Sequence, residues 1–377
     1  MITYIENYTL YTALLLYLIS RTDRTTARNK TGTGQSAALC VNGHAQHFCA
    51  FEKGITMSKE IGGYMDLEHF TGEEYYPDLV KLNLGRTALV WLLQRMDHRR
   101  VFIPSYICSS VTDSARAAGF DVVSYPVDED LRPVWDECGR PGDDDILYLV
   151  NYYGQLTASE IEGYRDSYSA VIVDNAQAFY DRPVEGVHTI YTARKFFGLT
   201  DGAYVATDIA ADDSIPQDKS AWRAPYMLGR LEDGARQHYS GMLEVNHTFD
   251  REIPRRMSAL TENLLKAINY EAVRQKRCDN YRMLSGLLPD SNPFTRRVPE
   301  CPFAYPYHCE NGPQIRKALA ERDIFVQTNW SYLLTDAPED SLDRRWSADI
   351  LPLPVDQRYG ELEMRVIADA VRELTGR

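Results

Sequence analysis

The sequence has no paired cysteine spacing, no long apolar run, no internal repeat and no sustained low-complexity tract. Its seven cysteines suggest no disulfide framework and suit a reducing cytoplasm. The early apolar run from Leu10 to Ile19 is too short to span a bilayer, and no basic residue precedes it as in a signal peptide. Positive charge is scarce as well: 41 Lys and Arg face 54 Asp and Glu, for a net charge of −13. A chain of that sign attracts neither nucleic acid nor an anionic membrane through its overall field, so an anionic ligand needs a local basic pocket. Lysine is scarce where the secondary-structure pattern is most regular, and Lys195 is the only one between Leu82 and Asp218.

The first 56 residues differ from the rest. They hold five basic and three acidic side chains, against 36 and 51 in the remainder, and a Thr/Gly/Ser/Asn-rich stretch runs from Arg21 to Gln35. Cys40, His44, His47 and Cys49 are metal-ligand types, but their spacing fits no common zinc pattern, and no metal site is expected. Met57 follows Glu52-Lys53-Gly54-Ile55-Thr56, a segment whose purine-rich codons fit a ribosome-binding site. Residues 1–56 are therefore expected to be a disordered leader or an over-extended reading frame.

From Val80 onward strands and helices alternate. Val80–Leu84, Val101–Pro104, Asp121–Val127, Asp145–Asn151, Ala170–Asp174 and Gly202–Thr207 read as strands. Arg86–Met96, Val111–Ala118 and Ala158–Tyr168 read as helices. Continuous apolar strands such as Asp145–Asn151 belong to buried parallel sheets, so the fold class is α/β with helices on both faces. We expect a large domain over 57–250, a helical connector over 251–288 and a small α+β domain over 289–377. In the last, Pro302–His308, Ile324–Gln327 and Ile350–Pro354 read as strands, and Pro313–Glu321 and Gly360–Leu374 as helices.

Four segments carry chemistry. Asn83-Leu84-Gly85-Arg86-Thr87-Ala88 joins a strand end to a helix start, where free N–H groups and the helix dipole favour an anion. Gly85 allows close approach, Thr87 offers a hydroxyl and Arg86 a fork of donors. The same segment also reads as an ordinary turn. Val171–Gln177 puts Asp174 at the carboxyl end of a buried strand, where α/β sheets bind ligands; a helix N-cap or a metal-binding acid is the alternative. Tyr191–Gly198 sets Lys195 between Arg194 and two phenylalanines, an apolar setting that makes an amine a usable nucleophile. The alternative there is a lysine stem packed on Phe196. Asn151-Tyr152-Tyr153-Gly154-Gln155 ends another buried strand and either lines a pocket or forms a glycine turn.

Together these segments resemble the DegT/DnrJ/EryC1/StrS family of sugar aminotransferases, from about Leu82 to the C-terminus. Gly85-Arg86-Thr87-Ala88-Leu89 resembles its phosphate motif, and Ile103-Pro104-Ser105-Tyr106 its Val-Pro-Ala/Ser segment. Tyr153-Gly154-Gln155 resembles its Tyr-Gly-Gln turn, and Asp174-Asn175-Ala176-Gln177 its Asp-x-Ala-Gln segment. Ile350–Pro354 resembles its late Leu-Ser-Leu-Pro strand.

The resemblance implies the PLP-dependent transferase fold of type I, with pyridoxal 5′-phosphate (PLP) as cofactor. It also implies a cytoplasmic homodimer with shared active sites, a nucleotide-linked keto-sugar as acceptor and a glutamate-like amino donor. It makes Lys195 the cofactor-carrying catalytic residue and Asp174 the partner of the pyridine nitrogen. Gly85, Arg86 and Thr87 then hold the phosphate, Gln177 the ring hydroxyl, and Tyr153 and Gln155 the substrate. The chain departs from the pattern at three places. Ile190 and Tyr191 replace a Ser-Phe pair whose serine binds the phosphate, leaving Thr189 or Thr192, with Arg86, to substitute. Cys108 falls where an aromatic stacks on the ring, with Tyr106 the candidate replacement, and Thr200-Asp201-Gly202-Ala203 replaces Gly-Glu-Gly-Gly. A non-catalytic or regulatory protein on the same fold, and a PLP enzyme with different sugar chemistry, are the competing readings.

Overall fold

The computed structural model describes residues 62–376, apart from 136–137, 212–213, 289–291 and 293. The leader, with Cys40, His44, His47 and Cys49, lies outside the described residues. Leu67–Arg377 form one compact unit.

Its frame is a seven-stranded sheet in the order β1-β7-β6-β5-β4-β2-β3. The strands are β1 (Val80–Leu82), β2 (Arg100–Pro104), β3 (Asp121–Tyr125), β4 (Asp145–Val150), β5 (Ala170–Asp174), β6 (His188–Thr192) and β7 (Ala203–Ala206). Strands β3, β2, β4, β5 and β6 run parallel, and β7 and β1 join antiparallel at one edge. Every residue of β4 and β5 is buried, as both-face coverage of a parallel sheet demands. Each fully buried Ile or Leu there contributes about 1.5–3 kcal/mol.

Helices α1 (Gly85–Leu93), α2 (Ser109–Ala117) and α3 (Ala158–Ser167) connect these strands. The start of α3 is a reciprocal cap: Glu160 N–H donates to Thr157 Oγ1 at 3.2 Å and Thr157 N–H to Glu160 Oε2 at 2.8 Å. β6 was not among the expected strands, and residues 225–248 form two unexpected helices, α4 (Pro225–Asp233) and α5 (Tyr239–Thr248).

The 251–287 stretch carries α6 (Ala259–Leu265) and the long α7 (Tyr270–Leu287). Beyond it lie β8 (Tyr305–His308), α8 (Gly312–Glu321), α9 (Leu333–Asp336), α10 (Leu342–Asp349), β9 (Ile350–Leu353) and α11 (Glu361–Thr375). β8 and β9 pair antiparallel. A second core, with Tyr281, Leu284, Leu319, Leu351, Met364 and Val371, lies between this hairpin and its helices. Ile324–Gln327 is not a strand. Ile324 and Val326 are buried, which produces the alternating pattern, but the segment pairs with no neighbour in either sheet.

Candidate active site

The parallel strands end at one edge of the sheet, and a cavity of about 190 Å³ opens there. Asp174 closes β5 in the middle of the sheet, in register with Val150 and Ile190. Lys195 follows β6 at the end of a short turn, Ala193–Lys195. Gly85 and Arg86 open α1 after β1. The cavity wall brings together Gly85, Arg86, Asp174, Gln177, Thr192 and Lys195.

At one end of the cavity the Asp174 carboxylate is buried, and each of its oxygens accepts one hydrogen bond from the protein. Tyr148 Oη donates to Oδ2 at 2.9 Å and Ala176 N–H to Oδ1 at 2.8 Å. Burial, reinforced by the charge of Asp174, pushes the Tyr148 phenol well above its ordinary pKa, so it stays a donor. Gln177 Oε1 accepts from Tyr153 N–H at 2.9 Å, which leaves the amide nitrogen for a ligand. Cys108 and Trp330 complete this end. Trp330 holds a left-handed backbone, φ 53°, and packs edge-on against Tyr106 at 4.3 Å.

At the other end Gly85 lies against Thr192. A Cβ on Gly85 would come within 2.7 Å of Thr192 Oγ1, so a larger residue there would force the Thr192 side chain to move. Arg86 lines the wall and pairs with Asp250. Arg194 lines it as well, with its guanidinium 4.2 Å from the Phe249 ring.

Lys195 is exposed, contrary to the apolar setting expected from its neighbours. Phe196 and Phe197 turn inward into a separate aromatic core, while the lysine stays at the cavity rim with Nζ 5.9 Å from the Phe303 ring. Its backbone is firmly held. The Phe196 carbonyl accepts from Arg277 Nη2 at 3.0 Å and from Gln357 Nε2 at 2.8 Å. On the far side of this loop Asp201 is buried, accepting from Ser258 N–H at 2.8 Å, Ser258 Oγ at 2.6 Å and the Thr261 hydroxyl.

Four expected residues do not reach the wall. The Thr87 hydroxyl is spent on the helix start, with Leu84 O at 2.9 Å and Asn83 Oδ1 as partners. Tyr106 is buried behind Trp330 and offers no ring face to the cavity. Tyr153 is buried, and its hydroxyl takes 2.8 Å from Asn329 Nδ2. Gln155 Nε2 donates to Arg297 O at 3.1 Å, and Gln155 Oε1 accepts from Arg297 N–H at 3.2 Å.

Behind the Asp174 loop, Asp181 is a further, mostly buried acid. It takes 3.1 Å from Asn151 Nδ2 and 3.3 Å from Arg297 Nη2, yet burial raises its pKa to about 6. The sequence reading missed Tyr148, whose only signal was one hydroxyl in an apolar run.

A larger open groove, about 480 Å³, lies beside Phe197–Leu199, but Lys276 is the one charged residue on its wall. Among the described residues, no group of three or more His, Cys, Asp or Glu is placed to hold a metal ion. No helix among them is long and apolar enough to cross a membrane.

No family model matches the chain, and no curated protein sequence matches it. Solved structures do. DesV of S. venezuelae, captured with a ketimine intermediate, superposes at TM-score 0.54 with 21% identity, over 79% of this chain and 85% of that one. A DegT DnrJ EryC1 StrS aminotransferase from Brucella abortus gives 0.53 at 15% identity, over 79% and 86%. A Streptococcus pneumoniae protein named as a sugar aminotransferase, in its PMP form, gives 0.56 at 13%, over 79% and 87%. The chain therefore has the fold of the DegT/DnrJ/EryC1/StrS aminotransferases.

Proposed function

We propose that the protein is a PLP-dependent aminotransferase that passes an amino group from a glutamate-like donor to a nucleotide-linked keto-sugar. The observation that carries this reading is the meeting of Lys195, Asp174 and Gly85 in one cavity at the carboxyl edge of the sheet. The residues fit the cofactor. A buried, doubly hydrogen-bonded carboxylate suits a protonated ring nitrogen, a rim amine suits covalent attachment, and a glycine-walled helix start beside Arg86 suits a phosphate. When bound, the cofactor withdraws electrons from the substrate carbon that loses its proton.

Asp174 holds the charge on the ring nitrogen, and Tyr148 and the Ala176 amide hold Asp174. Lys195 would carry the cofactor on its amine and would serve as the general acid and base that moves the proton at the substrate carbon. Arg86 and Thr192 steady the phosphate. Trp330 and Cys108 would line the cofactor pocket. Exposure of Lys195 matches a site completed by a partner subunit. Exposed Leu228, Leu231, Tyr239 and Leu243 on α4 and α5 form an apolar surface of the kind a second copy covers. The proposed setting is a cytoplasmic homodimer.

The test is a coupled assay of the PLP-loaded protein with glutamate against a panel of nucleotide keto-sugars. Turnover of at least one supports the reading. A protein that gains no visible cofactor band on PLP addition refutes it.

A further inference from the structure

The cavity wall carries three cations, Arg86, Arg194 and Lys195, and one carboxylate, Asp174. Two of the nearby arginines are neutralised by acids: Arg86 by Asp250, and Arg223 by Asp218 at 2.7 Å and Glu252 at 2.5 Å. Arg194 is not. Among the described residues it hydrogen-bonds the Tyr226 side chain and Asn246 Oδ1 (3.4 Å) and packs on the Phe249 face, none of them an acid, and its buried Nε has no partner. Burial pushes its pKa below the ordinary arginine value against the opposing pull of Tyr226, and Arg223 and Arg86 nearby add to the lowering. A desolvated guanidinium facing other cations is costly unless an anion completes it. Ile190, on the same wall, offers no side-chain hydrogen bond to an anion.

We propose that Arg194 is a phosphate-binding residue, gripping the cofactor phosphate together with Arg86 at the start of α1. This rests on the cofactor reading above. Arg is suited to the role because its planar fork matches a phosphate's oxygens and stays charged when buried.

The experiment titrates the full chain with PLP, with pyridoxal (which lacks the phosphate) and with inorganic phosphate followed by phosphorus NMR line width. Losing one charge-assisted bond should raise the PLP Kd of Arg194→Gln about ten- to hundredfold. Its pyridoxal Kd should stay within about twofold, and Arg194→Lys should recover part of the loss. In the wild type, inorganic phosphate should compete with PLP. An unchanged PLP Kd in Arg194→Gln overturns the proposal, as does an equal loss of PLP and pyridoxal. Phosphate binding alongside PLP without competition also overturns it, because the anion would then belong to a second ligand. If the wild type takes up neither PLP nor pyridoxal, the cofactor reading fails and phosphate alone decides. Broadening lost in Arg194→Gln then upholds the anion site, and broadening that is equal or absent in both proteins overturns it.

Discussion

The two ends of the cavity are built on opposite terms. At the Asp174 end the protein itself fixes both oxygens of the acid, through Tyr148 and the Ala176 amide. At the Gly85 end the Nε of Arg194 has no partner, and only a glycine leaves Thr192 undisturbed. One end is preorganised before any ligand arrives, and the other is finished by it. Preorganised dipoles lower barriers, whereas an end completed by its ligand contributes mainly to affinity. The contrast predicts that mutations at the two ends separate turnover from binding.

The largest effect lies at Lys195, which belongs to neither end. Lys195→Ala should abolish the borohydride-trappable link to the cofactor while circular dichroism stays unchanged. A trapped adduct in the variant would move the attachment to another lysine. Asp174→Asn should keep the cofactor but cut turnover by about three decades or more, because an amide cannot hold the ring's charge. Near-normal turnover would show that the Asp174 end does not act on the chemistry. Tyr148→Phe sharpens the same point on a smaller scale. It removes one hydrogen bond, costs about 1–2 kcal/mol, and should slow turnover about tenfold with little change in PLP Kd. A Kd that worsens more than the rate would erase the difference between the ends.

The smallest effect is on stability. Asp181, behind the Asp174 loop, has a carboxyl raised to about pH 6 by burial. For an acid raised in the folded state, the stabilising contribution is full at low pH and is lost as pH rises through about 6. Asp181→Asn should remove that loss, so its stability relative to the parent should rise by about 2 kcal/mol between pH 4 and pH 7. Urea midpoints across that range check it, and a constant difference would contradict the shift.

Legibility in the sequence followed how local each feature is. β4 and β5 were readable because strands buried on both faces are apolar throughout. β6, His188-Thr189-Ile190-Tyr191-Thr192, was not: its polar residues are covered only by tertiary neighbours. Ile324–Gln327 failed in the other direction, since alternation signals a buried face but not a pairing partner. Lys195, Asp174 and Gly85 could be found from short motifs at strand ends. Thr87 could not be separated from Arg86, because adjacent helical residues point about 100° apart and only one faces the cavity. Tyr148 and Trp330 reach the site from a strand interior and a distant turn, which no local pattern reports.

The hold on the Phe196 carbonyl has a consequence for how the protein is made. Arg277 and Gln357, which grip it, are both synthesised long after Lys195. The nascent sheet can assemble on the ribosome with its apolar strands in place, because domains fold as they emerge. The loop bearing the lysine has no such early support and acquires its anchors only when α7 and the segment before α11 arrive. A chain stopped short of Gln357 would then carry a folded sheet with an unset lysine, so maturation of this site is a late event in the life of each molecule.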